Sequence, residues 1–235
     1  MSLSRHQTSV RREGVLLGVI LVAGSLGSAP ALAGTNAWTA IGPSGANVHA
    51  VAVSPAASTS LVAGTATGYA TSTNGGASWN VVATGHETDA IAFDPGNASI
   101  VFAATAGALV RSTDGGTTFP VVIPESTYCV TINPADPNVL YAGTTDYIYK
   151  STDRGLTWLQ AFRRSGHSFF RTIAIDPSHT NVVYAIATLG GLLKSTDGGT
   201  TWASLVVPAG GGIFFAIAGI WHRYRLRGAR TGTAK

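Results

Sequence analysis

Four times along the chain a short run alternates small and large apolar side chains and then meets a proline. The runs are His49-Ala50-Val51-Ala52-Val53, Asp89-Ala90-Ile91-Ala92-Phe93, Tyr128-Cys129-Val130-Thr131-Ile132 and Arg171-Thr172-Ile173-Ala174-Ile175, ahead of Pro55, Pro95, Pro134 and Pro177. A period of two sends alternate residues to opposite faces of a strand. One face then carries Ala50, Ala90, Cys129 and Thr172, and the other Val51, Ile91, Val130 and Ile173. A strand buried on both faces needs this, because large side chains of one sheet then meet small ones of the next. A second apolar run follows each proline, at 60–64, 100–104, 139–143 and 182–186. A third leads into a polar turn and a fourth leaves it, so each unit predicts four short strands.

The polar turn repeats as Ser-x-Asp/Asn-x-Gly-x-x-Trp/Phe. Its copies are set by Ser72, Asn74 and Trp79; Ser112, Asp114 and Phe119; Ser151, Asp153 and Trp158; and Ser195, Asp197 and Trp202. The serines stand 40, 39 and 44 residues apart, a period that belongs to stacked repeats. Four short strands in such a period make a propeller blade. The turn is expected between the third and fourth strands, with the Ser hydroxyl and the Asp or Asn oxygen accepting turn amides and Gly supplying positive φ. The terminal aromatic ring would be buried beside it. The expected fold is all-β: a β-propeller with four complete blades and an incomplete fifth.

These turns, over about residues 36–207, resemble the Asp-box (BNR) repeat of sialidases, sortilin-type receptors, xyloglucan-cleaving glycoside hydrolases and a photosystem assembly propeller. The resemblance implies that the turn is structural and lies away from the active face, so Asp114, Asp153 and Asp197 are not assigned to catalysis.

The ends of the chain read differently. Arg5, Arg11 and Arg12 precede an apolar run from Val15 to Gly27, and Ala31-Leu32-Ala33 stands before Gly34. This is the order of a secretory signal peptide cleaved after Ala33, and it predicts an exported, extracytoplasmic protein. The run of about 13 residues falls short of the roughly 20 that span a bilayer. Arg11-Arg12 also opens a twin-arginine pattern, though Gly14 and Val15 follow where that signal is more apolar; both export routes stay open. Trp38 precedes Trp79 by 41 residues, so Trp38–Pro43 is expected as a fourth strand.

At the other end Phe215–Ala218 begins a fifth first strand, and residues 219–235, with Arg223, Arg225, Arg227, Arg230 and Lys235, fit no column of the repeat. A basic binding arm, a membrane anchor and a shifted reading frame are the three readings. The arm has no recognisable motif, and the nine residues Ile213–Trp221 are too few for a span of about 20. Codons for Gly219–Gly228 read one nucleotide later can encode Ala-Ser-Gly-Thr-Val-Thr-Val-Tyr-Ala-Gly, which ends like Leu140-Tyr141-Ala142-Gly143. The expected division is a signal peptide at 1–33, blades at 34–212, and an incomplete blade start with a basic tail at 213–235. An open ring leaves unpaired strand edges, so self-association through that edge is expected.

Charge changes the picture only once it is divided. The net +4 arises from the two ends: between residues 34 and 220 seven basic residues face ten acidic ones, about −3. There is no basic patch for nucleic acid, and no membrane span is expected after signal cleavage. The single Cys129 excludes an internal disulfide, and its place in the small column predicts an unreactive buried thiol.

In a propeller the fourth-to-first and second-to-third connections emerge opposite the turns, where loops are free to carry function. The residue six before each proline stands at that mouth: His49, Asp89, Tyr128 and Arg171. These four are polar and all different, while the columns below them barely vary. Glu87 and Asp146 join them as ligand-binding candidates, and His86, Glu125, Tyr147, Arg163, Arg164 and His167 are expected on the same face. Asp89 with Glu87, Glu125 or Asp146 would supply the carboxylate pair of a glycosidase. Arg163, Arg164 and Arg171 with Tyr128 loosely suit a sialidase, without its Arg-Ile-Pro motif. No catalytic residue is assigned, no two histidines stand at ligand spacing for a metal, and no cofactor is expected. The sequence favours a binding or scaffolding module for a glycan or a protein or peptide ligand, with a glycoside hydrolase, or a truncated remnant of one, as the alternative.

Overall fold

The computed structural model describes residues 40–164, 166–188 and 191–205. The signal segment, the Phe215–Ala218 run and the basic tail lie outside them. Among the described residues sixteen strands form four antiparallel sheets, each a meander in chain order. The first holds β1 (Val48–Val53), β2 (Leu61–Thr65), β3 (Gly68–Ser72) and β4 (Asn80–Ala83). The second holds β5 (Thr88–Asp94), β6 (Asn97–Thr105), β7 (Leu109–Ser112) and β8 (Val121–Ile123). β9 (Thr127–Ile132), β10 (Leu140–Thr144), β11 (Tyr147–Ser151) and β12 (Leu159–Arg163) make the third. β13 (Phe170–Ile175), β14 (Val183–Ala187), β15 (Gly191–Ser195) and β16 (Ala203–Leu205) make the fourth. The first strands contact one another in series, β1 with β5, β5 with β9 and β9 with β13. The sheets are four propeller blades, and no helix occurs among the described residues.

The small and large columns pack as their alternation requires. Between the second and third blades, Ala90, Ala92, Phe102 and Ala104 meet Val130, Ile132, Leu140 and Ala142. Between the third and fourth, Cys129, Tyr141 and Ile148 meet Ile173, Ile175, Val183 and Leu193. Each fully buried large apolar side chain stabilises the array by about 1.5–3 kcal/mol before the entropy of ordering it is counted. Close approach is helped by glycine: a Cβ on Gly64 would stand 2.5 Å from the Thr88 carbonyl oxygen, and one on Gly143 2.5 Å from that of Phe170.

Each polar turn closes on itself. Ser112 Oγ donates to Asp114 Oδ1 at 2.6 Å and accepts the Gly116 amide at 2.9 Å, while Asp114 Oδ1 accepts the amides of Thr117 and Thr118 at 2.9 Å. Ser151 with Asp153 and Ser195 with Asp197 repeat this scheme, and Ser72 with Asn74 repeats its Ser–Asn, Gly and Ser78 bonds. The last glycine of each turn, Gly76, Gly116, Gly155 and Gly199, has positive φ, and in the last three turns it rests on the preceding blade: a Cβ there would meet Val62 from Gly116, Phe102 from Gly155 and Tyr141 from Gly199. The turn aromatics pack backward too, Phe119 on Tyr69, Trp158 on Phe102 and Trp202 on Phe162.

The N-terminal expectation is corrected in part. Residues 40–43 form no strand. Ile41 instead lies against Gly76, where a preceding blade's side chain sits in the other three turns, and its carbonyl accepts the Trp79 indole N–H at 2.5 Å. The short apolar residue thus fills one contact of a blade without supplying its strand.

Candidate ligand-binding site

Antiparallel pairing fixes which ends share a face. The starts of β1, β5, β9 and β13 lie at the end of the array opposite the polar turns, so His49, Asp89, Tyr128 and Arg171 stand together at the mouth. Two groups form there.

The first joins two blades. His49, on β1, places Nδ1 2.5 Å from Oε1 of Glu87, which immediately precedes β5. Asp89 follows two residues later on the same face, and one donor atom from each of the three lies within 4.8 Å of the others. Burial pushes the Asp89 carboxyl above the usual carboxylate range and Glu87 adds to this, while Arg171 and His49 act against it. A half-buried carboxylate next to a second one disfavours its own charge, and the two cationic neighbours offset this only in part. Packing of β1 against β5 brings together three side chains able to ligate a metal, with His49 and Asp89 standing 40 residues apart in the sequence.

The second group joins the third and fourth blades. The Arg171 guanidinium lies over the Tyr128 ring at 5.0 Å and the Phe169 ring at 5.9 Å, and those two rings meet edge to face at 5.1 Å. Tyr128 shares a hydrogen bond with Thr145 at 3.3 Å. The stacking holds an exposed guanidinium in place with donors free for a ligand oxygen. Phe169 was not among the sequence candidates; an aromatic doublet before a strand start was its signal.

The remaining candidates have structural partners. Asp146 takes φ of +70° at the β10–β11 turn, and its Oδ1 accepts the Ser168 amide at 2.9 Å, tying two mouth loops together. Glu125 accepts the Tyr149 hydroxyl at 2.8 Å and that of Thr144 at 3.3 Å, with Gln160 bonded to Tyr149 at 3.2 Å. Arg163 lies over Tyr147 at 5.7 Å. The His86 ring stands beside Gly107. Ser72, Ser112, Ser151 and Ser195 with their turn partners stand at the other end, within the turns.

No protein-family model matches the chain, and no curated protein matches it. Solved structures do. An ancestral GH74 enzyme superposes with a TM-score of 0.64 at 22% identity, over 72% of this chain and 25% of that one. The GH74 xyloglucanase from Xanthomonas campestris gives 0.56 at 22% identity, over 74% and 32%. YCF48 from Cyanidioschyzon merolae gives 0.52 at 16%, over 69% and 57%. These likenesses show the β-propeller fold. The chain spans about a quarter to a third of the two GH74 structures. No helix among the described residues is long and apolar enough to cross a membrane.

Proposed function

We propose that the chain is an exported Asp-box propeller that binds a glycan or a peptide across its mouth. The observation that carries this reading is the second mouth group: an exposed Arg171 guanidinium held on the Tyr128 and Phe169 rings, facing a carboxylate group that acts on it electrostatically. Aromatic rings offer flat area to sugar or side-chain faces, and a pre-oriented guanidinium offers paired donors to a carboxylate or carbonyl. The signal-like first 33 residues support export, and the four closed Ser-Asp/Asn turns support the Asp-box assignment. Glycan and peptide arrays probed with the protein test it, with Tyr128→Ala and Arg171→Ala as the deciding variants. Binding weakened at least about tenfold by each is expected; binding unaffected by both would overturn the site.

Glycoside hydrolysis is the second reading, favoured by the carboxylates of Glu87 and Asp89, whose donor atoms come within 4.8 Å. That is nearer to the about 5–5.5 Å of a retaining pair than to the about 6.5–9.5 Å of an inverting one. The Xanthomonas campestris neighbour is a xyloglucanase, so xyloglucan and sialosides are the substrates to assay. Turnover abolished by Asp89→Asn would place this reading first.

A further inference from the structure

We infer that His49, Glu87 and Asp89 form a binding site for a single zinc-type divalent ion, bridging the first two blades. The donor set is one imidazole nitrogen and two carboxylate oxygens, all within 4.8 Å of one another. An ion bound at about 2.0–2.2 Å holds its donors about 3–3.5 Å apart, so small side-chain rotations complete the site. His49 Nδ1 and Glu87 Oε1, at 2.5 Å, would open by under about 1 Å to admit it.

A second observation is independent of this clustering. The half-buried Asp89 carboxylate accepts no hydrogen bond and forms no ion pair among the described residues. Partial burial disfavours its charge, and the other carboxylates at the mouth are hydrogen-bonded or ion-paired: Glu125 holds Tyr149, Asp146 holds Ser168 and Glu87 meets His49. Arg171 and His49 relieve the Asp89 charge only in part, and Arg171 makes no ion pair with it, its guanidinium being stacked on Tyr128 and Phe169. What suits Asp89 is a cation delivered from solvent, and Glu87 and His49 already converge on the same space.

Donor chemistry selects the ion. Imidazole favours zinc and its late first-row neighbours over magnesium and calcium, and two carboxylates supply the compensating charge. Three protein donors leave at least one coordination position for water or for an oxygen of a bound ligand. The site therefore stands whether or not the mouth binds a glycan or peptide; if it does, the ion is a point of attachment.

Isothermal titration of zinc chloride into the full chain, chelator-treated and free of any histidine tag, tests this. One ion per chain is expected, weakened at least about tenfold in His49→Ala and in Asp89→Asn, with both variants retaining the wild-type β circular-dichroism spectrum. Calcium chloride in the same cell is expected to bind at least about tenfold more weakly than zinc. The inference is overturned by no stoichiometric binding, by binding that both variants leave unchanged, or by calcium binding as tightly as zinc. Array binding that fails while zinc titrates normally would sink the proposed function and leave this site intact.

Discussion

Lys150 Nζ donates to the carbonyl oxygen of Gly198 at 2.7 Å, crossing from the third blade into the turn of the fourth. Arg111 Nε makes the equivalent bond one blade earlier, to the Arg154 carbonyl at 3.0 Å. Each cation also lies over an aromatic ring of its own blade, Tyr141 at 5.8 Å and Phe102 at 5.9 Å. Position, donor and ring are thus one repeated joint between a blade and the following turn. Tyr141 adds a second donor, its hydroxyl reaching the same Gly198 oxygen at 2.7 Å. Lys150→Met keeps the aliphatic stem and removes the donor, and is expected to cost about 1–2 kcal/mol in urea unfolding. Combined with Tyr141→Phe the losses should exceed additivity, since the carbonyl then has neither donor. A loss under about 0.5 kcal/mol in Lys150→Met would show that Tyr141 alone satisfies the joint.

Acid should weaken the turns in a defined window. Hydroxyl and amide donors hold Asp153 and Asp197 at about 2, with Thr157 and Thr201 the largest contributors, and hold Asp114 lower still through Ser112 and Thr118. These folded-state values lie below the ordinary 3.8. The stabilisation is therefore present above about pH 4 and is lost as pH falls through the folded values near 2. The first turn has Asn74 and does not titrate. Urea midpoints measured from pH 5 to pH 2 should fall, less steeply in Asp153→Asn and more steeply in Asn74→Asp. Equal slopes in all three proteins would contradict the assignment.

Gly143 tests how closely blades approach. A Cβ there would lie 2.5 Å from the Phe170 carbonyl oxygen and 2.7 Å from Cys129 Sγ, both well inside contact. Gly143→Ala should cost about 1–3 kcal/mol, as overpacking does. Cys129→Ala would relieve the sulfur contact and leave the backbone one, so the double variant is expected to recover only part of the loss. The second blade carries Ala104 opposite Ala90 at the equivalent pair.

Cys129 should be inert in the folded protein. It is buried, and that burial pushes the thiol up to about 12, leaving almost no thiolate at neutral pH. Labelling with an aromatic disulfide at pH 8 should be slow until denaturant is added, and then rapid. Fast labelling of the native chain would place the sulfur in solvent.

The fold was legible because its determinants are local and repeated: period-two columns give the strands, and Ser with Asp or Asn and Gly gives the turns. The site was legible only by position. His49 and Asp89 share a repeat position on adjacent blades, and Glu87 shares a face with Asp89, yet that Nδ1 and Oε1 meet depends on how far one blade is rotated against the next. Arg154 was hidden for another reason. It stands where the other turns have Gly75, Gly115 and Gly198, takes φ of +60°, and sends Nε to buried Asp94 of the preceding blade at 3.1 Å. A charged partner from another blade outweighs the local preference for glycine there, and no local pattern announces it.

The last prediction concerns the first blade's outward face. Val51 and Val53 are 47% and 54% exposed, while Val130 and Ile173 in the same column as Val51, and Ile175 in the column of Val53, are 8%, 4% and 8% exposed. In those blades the face is covered by the small column of the blade before. Ile41 covers Gly76 alone and is itself 46% exposed. The fourth blade carries the other half of the joint: Lys194 lies over Tyr184 at 5.4 Å, as Lys150 lies over Tyr141 and Arg111 over Phe102. The fourth blade of one copy is therefore expected to seat on the first blade of another by the same rule that joins blades within the chain. Such head-to-tail contact closes into a ring or extends. Sedimentation velocity should show self-association rising with protein concentration. Val51→Asp with Val53→Lys should return the protein to a monomer with little loss of thermal midpoint, since about half of each side chain is exposed. Lys194→Glu should weaken association from the opposite side. A wild-type monomer at every concentration would mean that this face is closed within one chain.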